Sequence, residues 1–429
     1  MTTIADRFRL PCGVSLKNRL AKAAMTEQIA GPSHLPNEGH VRLYKRWAEG
    51  GPGLIITGNV QVDRRHLEHP GNIVIDKKLG DPTMKWLRAF ASAAQENGAR
   101  ALMQISHAGR QTPKLINPSP LAPSGIKVKL PGDQFGEPRS MTTAQIDEVM
   151  GRFVLAAQVA SEAGFSGVQV HAAHGYLLSS FLSPLANKRS DRYGGALENR
   201  ARPLLHIVER IRAELPEDFI LSVKLNSADF QRGGLTTEDS LRIVEWLEEE
   251  GIDLLEISGG SYEQPAMMNM DGMEKRHEEG KAESTKEREA YFLSFAEAVR
   301  ERSNVPLMVT GGFRSRRAMD EALEGGACDV IGLARPLCVR PDLPNDLLAG
   351  ENEAAKAYEK SLAIGPGVLS PRSPIKFIKA LNGFAVMSFF YENIARMADG
   401  QKPVEEMPLL RTFIKQQKQT AKMARALRS

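Results

Sequence analysis

Two histidines and a tyrosine stand within six residues in the stretch His171-Ala172-Ala173-His174-Gly175-Tyr176, at the end of an apolar run. Two imidazoles this close can both donate hydrogen bonds to one oxygen, which suits a carbonyl that gains negative charge in the transition state. A phenol beside them, Tyr176, can hand a proton to the neighbouring carbon. The same imidazoles would also serve a divalent metal if a third ligand came from another strand end, or bond each other as structural histidines. A second cluster is Thr310-Gly311-Gly312 with a helical pattern from Ser315, followed after the next apolar run by Leu333-Ala334-Arg335. Glycines let backbone approach an anion and Arg335 offers a bidentate fork, so this pair of loops reads as a phosphate grip. No G-x-G-x-x-G motif follows a strand, so a separate dinucleotide-binding domain is not expected.

The elements that must position these residues follow from alternation. Short apolar runs recur at Arg19–Met25, Gly53–Thr57, Ala101–Ile105, Gly167–His171, Ile220–Leu225, Asp253–Ser258, Pro306–Thr310 and Asp329–Leu333. Between them lie helix-period stretches with start and stop signals: Asp81–Asn97, Thr143–Ala163, Thr237–Glu250 and Ser315–Glu324, each closing at a glycine. Eight strands, each followed by a helical pattern, predict an α/β fold: a closed parallel (β/α)8 barrel of the TIM type with an extended C-terminal helical tail. The expected division is a barrel over 1–340 and a helical extension packed on it over 341–429. In such a barrel the chemistry sits at the strand C-termini, and polar residues do concentrate there: Thr26, Asn59, Gln104 to His107, His171, Lys224 and Asn226, Gly311–Gly312 and Arg335. Two segments break the rhythm. Ser106–Met141 is long and rich in Pro and Gly, and Gly260–Ser284 carries Met267, Met268, Met270 and Met273; loops of that length usually lid or line a site.

Composition excludes several function classes. Of 429 residues, 56 are Lys or Arg and 52 Asp or Glu, so the net charge of +4 gives no reason to expect nucleic acid as a partner. No apolar run is long enough to cross a membrane. Cys12, Cys328 and Cys338 are too few and scattered for a disulfide framework or metal cluster, and suit a reducing, cytoplasmic setting. The opening MTTIADRFRLPCG lacks an apolar core, so a secretory signal is not expected. Arg411, Lys415, Lys418, Lys422, Arg425 and Arg428 recur every three or four residues, a stripe read as a solvated helix face, with a homo-oligomer contact as the sharper alternative. Ser190–Arg200 is read as local charge pairing that braces the next helix, and His107 as facing either the pocket or its own loop.

The run HAAHGYLLSSFLSPLANKRSDRYGGALENRARPLLHIVERIR (His171–Arg212) closely resembles the signature of the old yellow enzyme family, the FMN-dependent NADH:flavin oxidoreductases. KNRLAKAAMT, LMQISHAGRQ, VKLNSADF, VTGGFRS and DVIGLARPL resemble the family's other motifs in the same order, so the likeness spans roughly Ile4 to Pro341. It implies a barrel holding FMN at the strand C-termini. Position by position, Thr26 resembles the residue near the flavin C4 carbonyl, with the backbone of Ala24 and Met25 and the side chain of Asn59 lining the ring. Gln104 resembles the amide on the pyrimidine edge, and Lys224 stands where the family usually has Arg. Gly311, Gly312, Ala334 (often Gly in relatives) and Arg335 would hold the phosphate. His171 and His174 resemble the pair that binds the substrate carbonyl oxygen, and Tyr176 the proton donor.

The resemblance implies ping-pong chemistry in which NADH or NADPH reduces the flavin and a small electron-poor alkene is then reduced. The four-Cys run of the larger iron–sulfur relatives is missing. The enzyme alternative is a flavin-free, metal-dependent barrel lyase built on His171 and His174, and the non-enzymatic one a barrel that only binds flavin or a partner.

Overall fold

The computed structural model describes residues 2–130, 133–258, 294–351 and 354–427. Eight parallel strands form one closed ring: β1 (Leu20–Lys22), β2 (Leu54–Ile56), β3 (Arg100–Ser106), β4 (Gly167–Ala172), β5 (Ile220–Asn226), β6 (Leu254–Ser258), β7 (Leu307–Thr310) and β8 (Val330–Leu333). Each pairs with the next, and β8 closes on β1 with Ile331 opposite Leu20 and Leu333 opposite Lys22. The strands are buried on both faces because side chains fill the interior while helices cover the outside. Ala21, Leu54, Ile56, Leu102, Ile220, Leu254, Met308 and Val330 pack inside the ring. Leu10 and Leu16 join them from an antiparallel hairpin, Phe8–Arg9 with Ser15–Leu16. A larger apolar layer lies between strands and helices.

Helices begin where a side chain can accept the orphan N–H groups of the first turn. Thr142 and Gln145 form a reciprocal cap on Thr143–Glu162, as do Thr236 and Asp239 on Thr237–Glu249. The expected strand Arg19–Met25 is shorter, because the ladder ends with Ala23 N donating to Leu333 O at 2.8 Å and Ala24–Thr26 run on to the rim as coil. The expected helix Asp81–Asn97 stops as α-helix at Ala94, and Asn97 turns left-handed at φ 58° in a following 3-10 turn. Ser106–Met141 is not wholly irregular: it holds a 3-10 turn, Gly109–Gln111, and the paired strands Leu121–Ala122 and Arg139–Ser140. The methionine-bearing segment lies outside the described residues.

Ser190–Arg200 braces differently from the expected local pairing. Asp191 binds Arg189, Arg192 lies 3.4 Å from Asp147, and Arg200 lies 3.4 Å from Asp239 on another helix. Past β8 the chain runs through helices Arg335–Val339 and Leu343–Ala349 to two long helices, Lys376–Ala398 and Leu409–Ala426. The first of these packs against the helix Glu38–Glu49, where Arg42 Nε donates to Ala398 O at 2.8 Å. Cys12, Cys328 and Cys338 are free thiols, and no described helix is long and apolar enough to cross a membrane.

Candidate active site

The β4 terminus is built by a turn that few sequences tolerate. His174 (φ 64°) and Gly175 (φ 78°) are both left-handed, which folds the chain back so that Tyr176 returns over His171. The turn is held from outside: Asn226 Oδ1 accepts from His174 N at 3.1 Å, and Gln111 Nε2 donates to His174 O at 2.9 Å. The rings of His171 and His174 stand edge-on with centroids 5.0 Å apart, and His171 meets Tyr176 at the same separation. His171 Nδ1 accepts from Ala173 N at 3.2 Å, so its proton sits on Nε2. His174 Nε2 meets Ser258 Oγ at 2.5 Å, leaving Nδ1 for another partner. Burial, then the Lys224 charge, push both imidazoles well below the usual histidine range. Both are neutral imidazoles at pH 7.

A polar chain crosses the barrel interior below them. Lys224 Nζ lies 2.9 Å from Glu256 Oε1, Gln169 Nε2 donates to Glu256 Oε2 at 2.9 Å, and Gln104 Nε2 donates to Gln169 Oε1 at 2.6 Å. The two residues singled out for a pyrimidine edge, Gln104 and Lys224, are thus coupled through Gln169 and Glu256. The sequence reading missed both, although a charged or amide residue inside an apolar strand run is a visible signal. At the neighbouring rim, Thr26 Oγ1, Asn59 Nδ2 and Tyr176 Oη all donate to one carboxylate, Glu68, and Asn72 Nδ2 joins at 3.5 Å. Glu68 was missed too, and nothing in its spacing marks it.

After β7, Gly311 (φ 96°) and Gly312 (φ 89°) are consecutive left-handed residues, a backbone that side chains strain against. Arg335 Nη1 and Arg314 Nη2 converge on Glu359 Oε1 at 3.4 and 3.0 Å. Glu359 comes from the segment after the barrel and was not foreseen. Ala334 precedes Arg335 in the same turn. Met25 Sδ lies 3.4 Å from Cys338 Sγ, which fixes the Ala24–Thr26 segment against the β8 loop.

His107 faces its own loop. Among the described residues, Asp63, His66 and His107 form the group of side chains compact enough to hold a metal ion. The ring nitrogens argue against a cation there. His66 Nε2 accepts from Leu121 N at 2.9 Å and His107 Nδ1 from Gly109 N at 3.0 Å, so each ring turns its N–H toward Asp63. Arg65 and Arg152, at 2.7 and 3.1 Å, already neutralise that carboxylate. For His171 and His174, no third metal-binding side chain among the described residues completes a set.

The unpartnered polar atoms of the rim suit a polar cofactor such as FMN. Asn59 Oδ1, Thr310 Oγ1 and Arg314 Nε are buried polar atoms without a protein partner, spread along the rim from β2 to β7. A polar cofactor along this rim would satisfy them, with its phosphate at the glycine pair and the two guanidinia.

Comparison with known proteins settles the class. The profile of the NADH:flavin oxidoreductase / NADH oxidase family matches residues 12–353. The chain is 40% identical over 365 residues to the NADH-dependent flavin oxidoreductase iccE of Talaromyces variabilis, covering 80% of this chain and 86% of that one. It is 40% identical over 352 residues to the NADH-dependent flavin oxidoreductase iliE of Neonectria sp. (strain DH2), covering 78% of this chain and only 45% of that longer protein. The old yellow enzyme homologue of Zymomonas mobilis shares the fold, with a TM-score of 0.68 at 24% identity over 85% of this chain and 97% of its own. The chain belongs to the NADH:flavin oxidoreductase / NADH oxidase family. It is an FMN-dependent oxidoreductase that draws on a nicotinamide cofactor and acts on a small molecule, and the lyase alternative falls with that membership.

Proposed function

We propose that this protein reduces the carbon–carbon double bond of an α,β-unsaturated carbonyl compound, with NADH as donor. The observation that carries the reading is the cluster at the β4 terminus: two neutral imidazoles, His171 with its N–H on Nε2, set edge-on to each other and against one phenol. NADH is favoured because the relatives from Talaromyces variabilis and Neonectria are named NADH-dependent.

When bound, FMN supplies the two-electron carrier between nicotinamide and alkene. His171 and His174 hold the substrate carbonyl oxygen and stabilise the negative charge it gains. Their neutrality matters: an imidazolium would bind any anion, whereas two neutral donors answer charge only as it develops. Tyr176 holds the proton destined for the α-carbon. Lys224, held 2.9 Å from Glu256, would present its ammonium at the pyrimidine edge, and Gln104 would offer its carbonyl there. Thr26, Asn59 and the backbone of Ala24 and Met25 line the ring, while Gly311, Gly312, Ala334, Arg335 and Arg314 take the phosphate.

The reading extends to organisation. Residues 1–340 form the flavin-binding barrel and 341–429 a helical extension packed on it, in a cytoplasmic enzyme whose reaction involves neither nucleic acid nor membrane. Three free cysteines and a net charge of +4 support this setting.

Anaerobic titration tests the central statement. The purified protein is expected to be yellow, to bleach with NADH, and to recover its colour on addition of an enone. A yellow protein that NADH bleaches but no enone or nitroalkene reoxidises would refute the alkene assignment while leaving the class intact.

A further inference from the structure

Glu68 is the point at which the Tyr176 side of the pocket meets. Its two oxygens receive Thr26, Asn59, Asn72 and Tyr176, all as donors. Unlike Asp63, which two guanidinia neutralise, Glu68 has no lysine or arginine ion pair among the described residues. A partly buried carboxylate without a cation is costly. Burial accordingly raises the Glu68 carboxyl above its ordinary range despite the four donors.

The hydrogen-bond directions create a conflict for a tyrosine that must protonate carbon. With Glu68 ionised, the phenolic O–H of Tyr176 points at the carboxylate and is unavailable to substrate. One proton on Glu68 reverses the sense of that bond: the acid donates to the phenol oxygen, and the phenolic hydrogen is released toward the pocket.

We propose that Glu68 is the proton reservoir behind Tyr176, a positioning residue that as a carboxylic acid turns the phenolic O–H toward the reacting carbon and replaces the proton once it is spent. This rests on the reading of Tyr176 as proton donor. The step balances. The Tyr176 O–H bond breaks as the α-carbon C–H bond forms, the Glu68 O–H bond breaks as the tyrosine O–H re-forms, and the carboxylate takes a proton from solvent. The two electrons arrive with the hydride that NADH supplies. The titratable groups near Glu68 are Tyr176, His171 edge-on to Tyr176, the adjacent His69, and Tyr391 from the helix Lys376–Ala398. Burial pushes Tyr391 well above the usual tyrosine range and the two histidines well below the usual histidine range, so all three are neutral around pH 7 and none supplies a competing limb there.

The test uses flavin-loaded enzyme reduced with NADH and then mixed with 2-cyclohexenone in a stopped-flow instrument. In the native enzyme the reoxidation rate is expected to fall about tenfold per pH unit above the Glu68 pKa, which burial places above the ordinary carboxylate range. Glu68→Gln, whose amide donates to the phenol at every pH, should give a flat profile there, with reduction by NADH within about twofold of native and steady turnover at least about tenfold lower. Glu68→Asp should restore a limb. A native profile without a limb, an unchanged limb in Glu68→Gln, or unchanged turnover in that variant each overturns the proposal. If Glu68→Gln loses its flavin, the native and Glu68→Asp profiles decide alone. Tyr176→Phe separates the failures: native-like enone reduction there removes the donor reading, whereas slow Tyr176→Phe with an unchanged Glu68→Gln limb removes only this inference.

Discussion

Lys22 is a fully buried cation on the strand that delivers Ala24–Thr26 to the site. Its ammonium donates to Ile56 O at 2.8 Å and lies 4.3 Å from the Trp47 ring centroid and 5.1 Å from that of Tyr44. These contacts do not replace its hydration, and burial lowers its pKa from 10.5 to about 8, with Glu27 opposing. That difference corresponds to roughly 3 kcal/mol by which folding disfavours the charged form. A pKa depressed in the fold means the unfolded chain binds more protons between pH 8 and 10.5, so the cost is full below about 8 and vanishes as pH rises through 10.5. Lys22→Met keeps the length of the side chain, removes the charge, and leaves Ile56 O without its donor, a loss of about 1 kcal/mol. The variant should therefore be about 2 kcal/mol more stable than native protein at pH 7 and about 1 kcal/mol less stable above pH 10.5. Urea unfolding of both proteins across that range measures it, since other titrating groups cancel in the difference. A stability difference that does not change with pH, or a variant less stable at pH 7, refutes the electrostatic account.

Two further outcomes follow from the site. His171→Ala with His174→Ala should abolish binding of phenols, read by their charge-transfer absorbance, while flavin content persists; loss of flavin with phenol affinity intact would contradict the assignment. At Gly311 a Cβ would meet nothing within 4 Å, so Gly311→Ala costs only the left-handed backbone, about 1–2 kcal/mol. Flavin fluorescence titration should show FMN binding about tenfold weaker, and unchanged affinity would remove Gly311 from the phosphate grip.

The barrel was legible because its signal is redundant. Each strand is a short apolar run and several helices carry caps, so eight repeats reinforce one topology even where a boundary is wrong. Boundaries failed where hydrogen bonding, not hydrophobicity, ends an element: Ala24–Met25 reads as strand but lies past the last ladder bond, from Ala23 N to Leu333 O. Site residues at strand ends were legible for the same reason, since strand position predicts rim position. Gln169 and Glu256 were legible in principle, as polar interruptions of GVQVH and DLLEIS. Glu68 was not. It lies in a loop, 108 residues from Tyr176, and only the folded chain brings the two together. Glu359 is the same case, a residue of the extension that reaches the arginines of the last barrel loops.

The C-terminal extension shows why a stripe of charge can mislead. Read from sequence, the helix Leu409–Ala426 is defined by its cations; Arg411, Lys415, Lys418, Lys422 and Arg425 are indeed exposed, with Lys415 paired to Glu392, while Arg428 lies outside the described residues. Its opposite face carries the contacts that bear on the site. Gln416 Nε2 donates to Gln28 Oε1 at 3.0 Å, and Thr420 Oγ1 meets His69 Nε2 at 3.0 Å. Gln28 lies two residues past Thr26 and is held left-handed at φ 64°, while His69 follows Glu68 directly. Both rim segments are thus tied to one helix in the last 21 residues of the chain. Each hydrogen bond is worth about 1 kcal/mol, too little to decide folding but enough to change how often the two loops open. Replacing both partners, Gln416→Ala with Thr420→Ala, should lower stability by about 1–2 kcal/mol and raise the enone KM several-fold, with little change in reduction by NADH. Charge reversal at Lys418 and Lys422, on the exposed face, should leave both half-reactions unaltered. If the cationic face proves the sensitive one and the Gln416 and Thr420 replacements are silent, the extension acts through an external contact and not through the loops it touches.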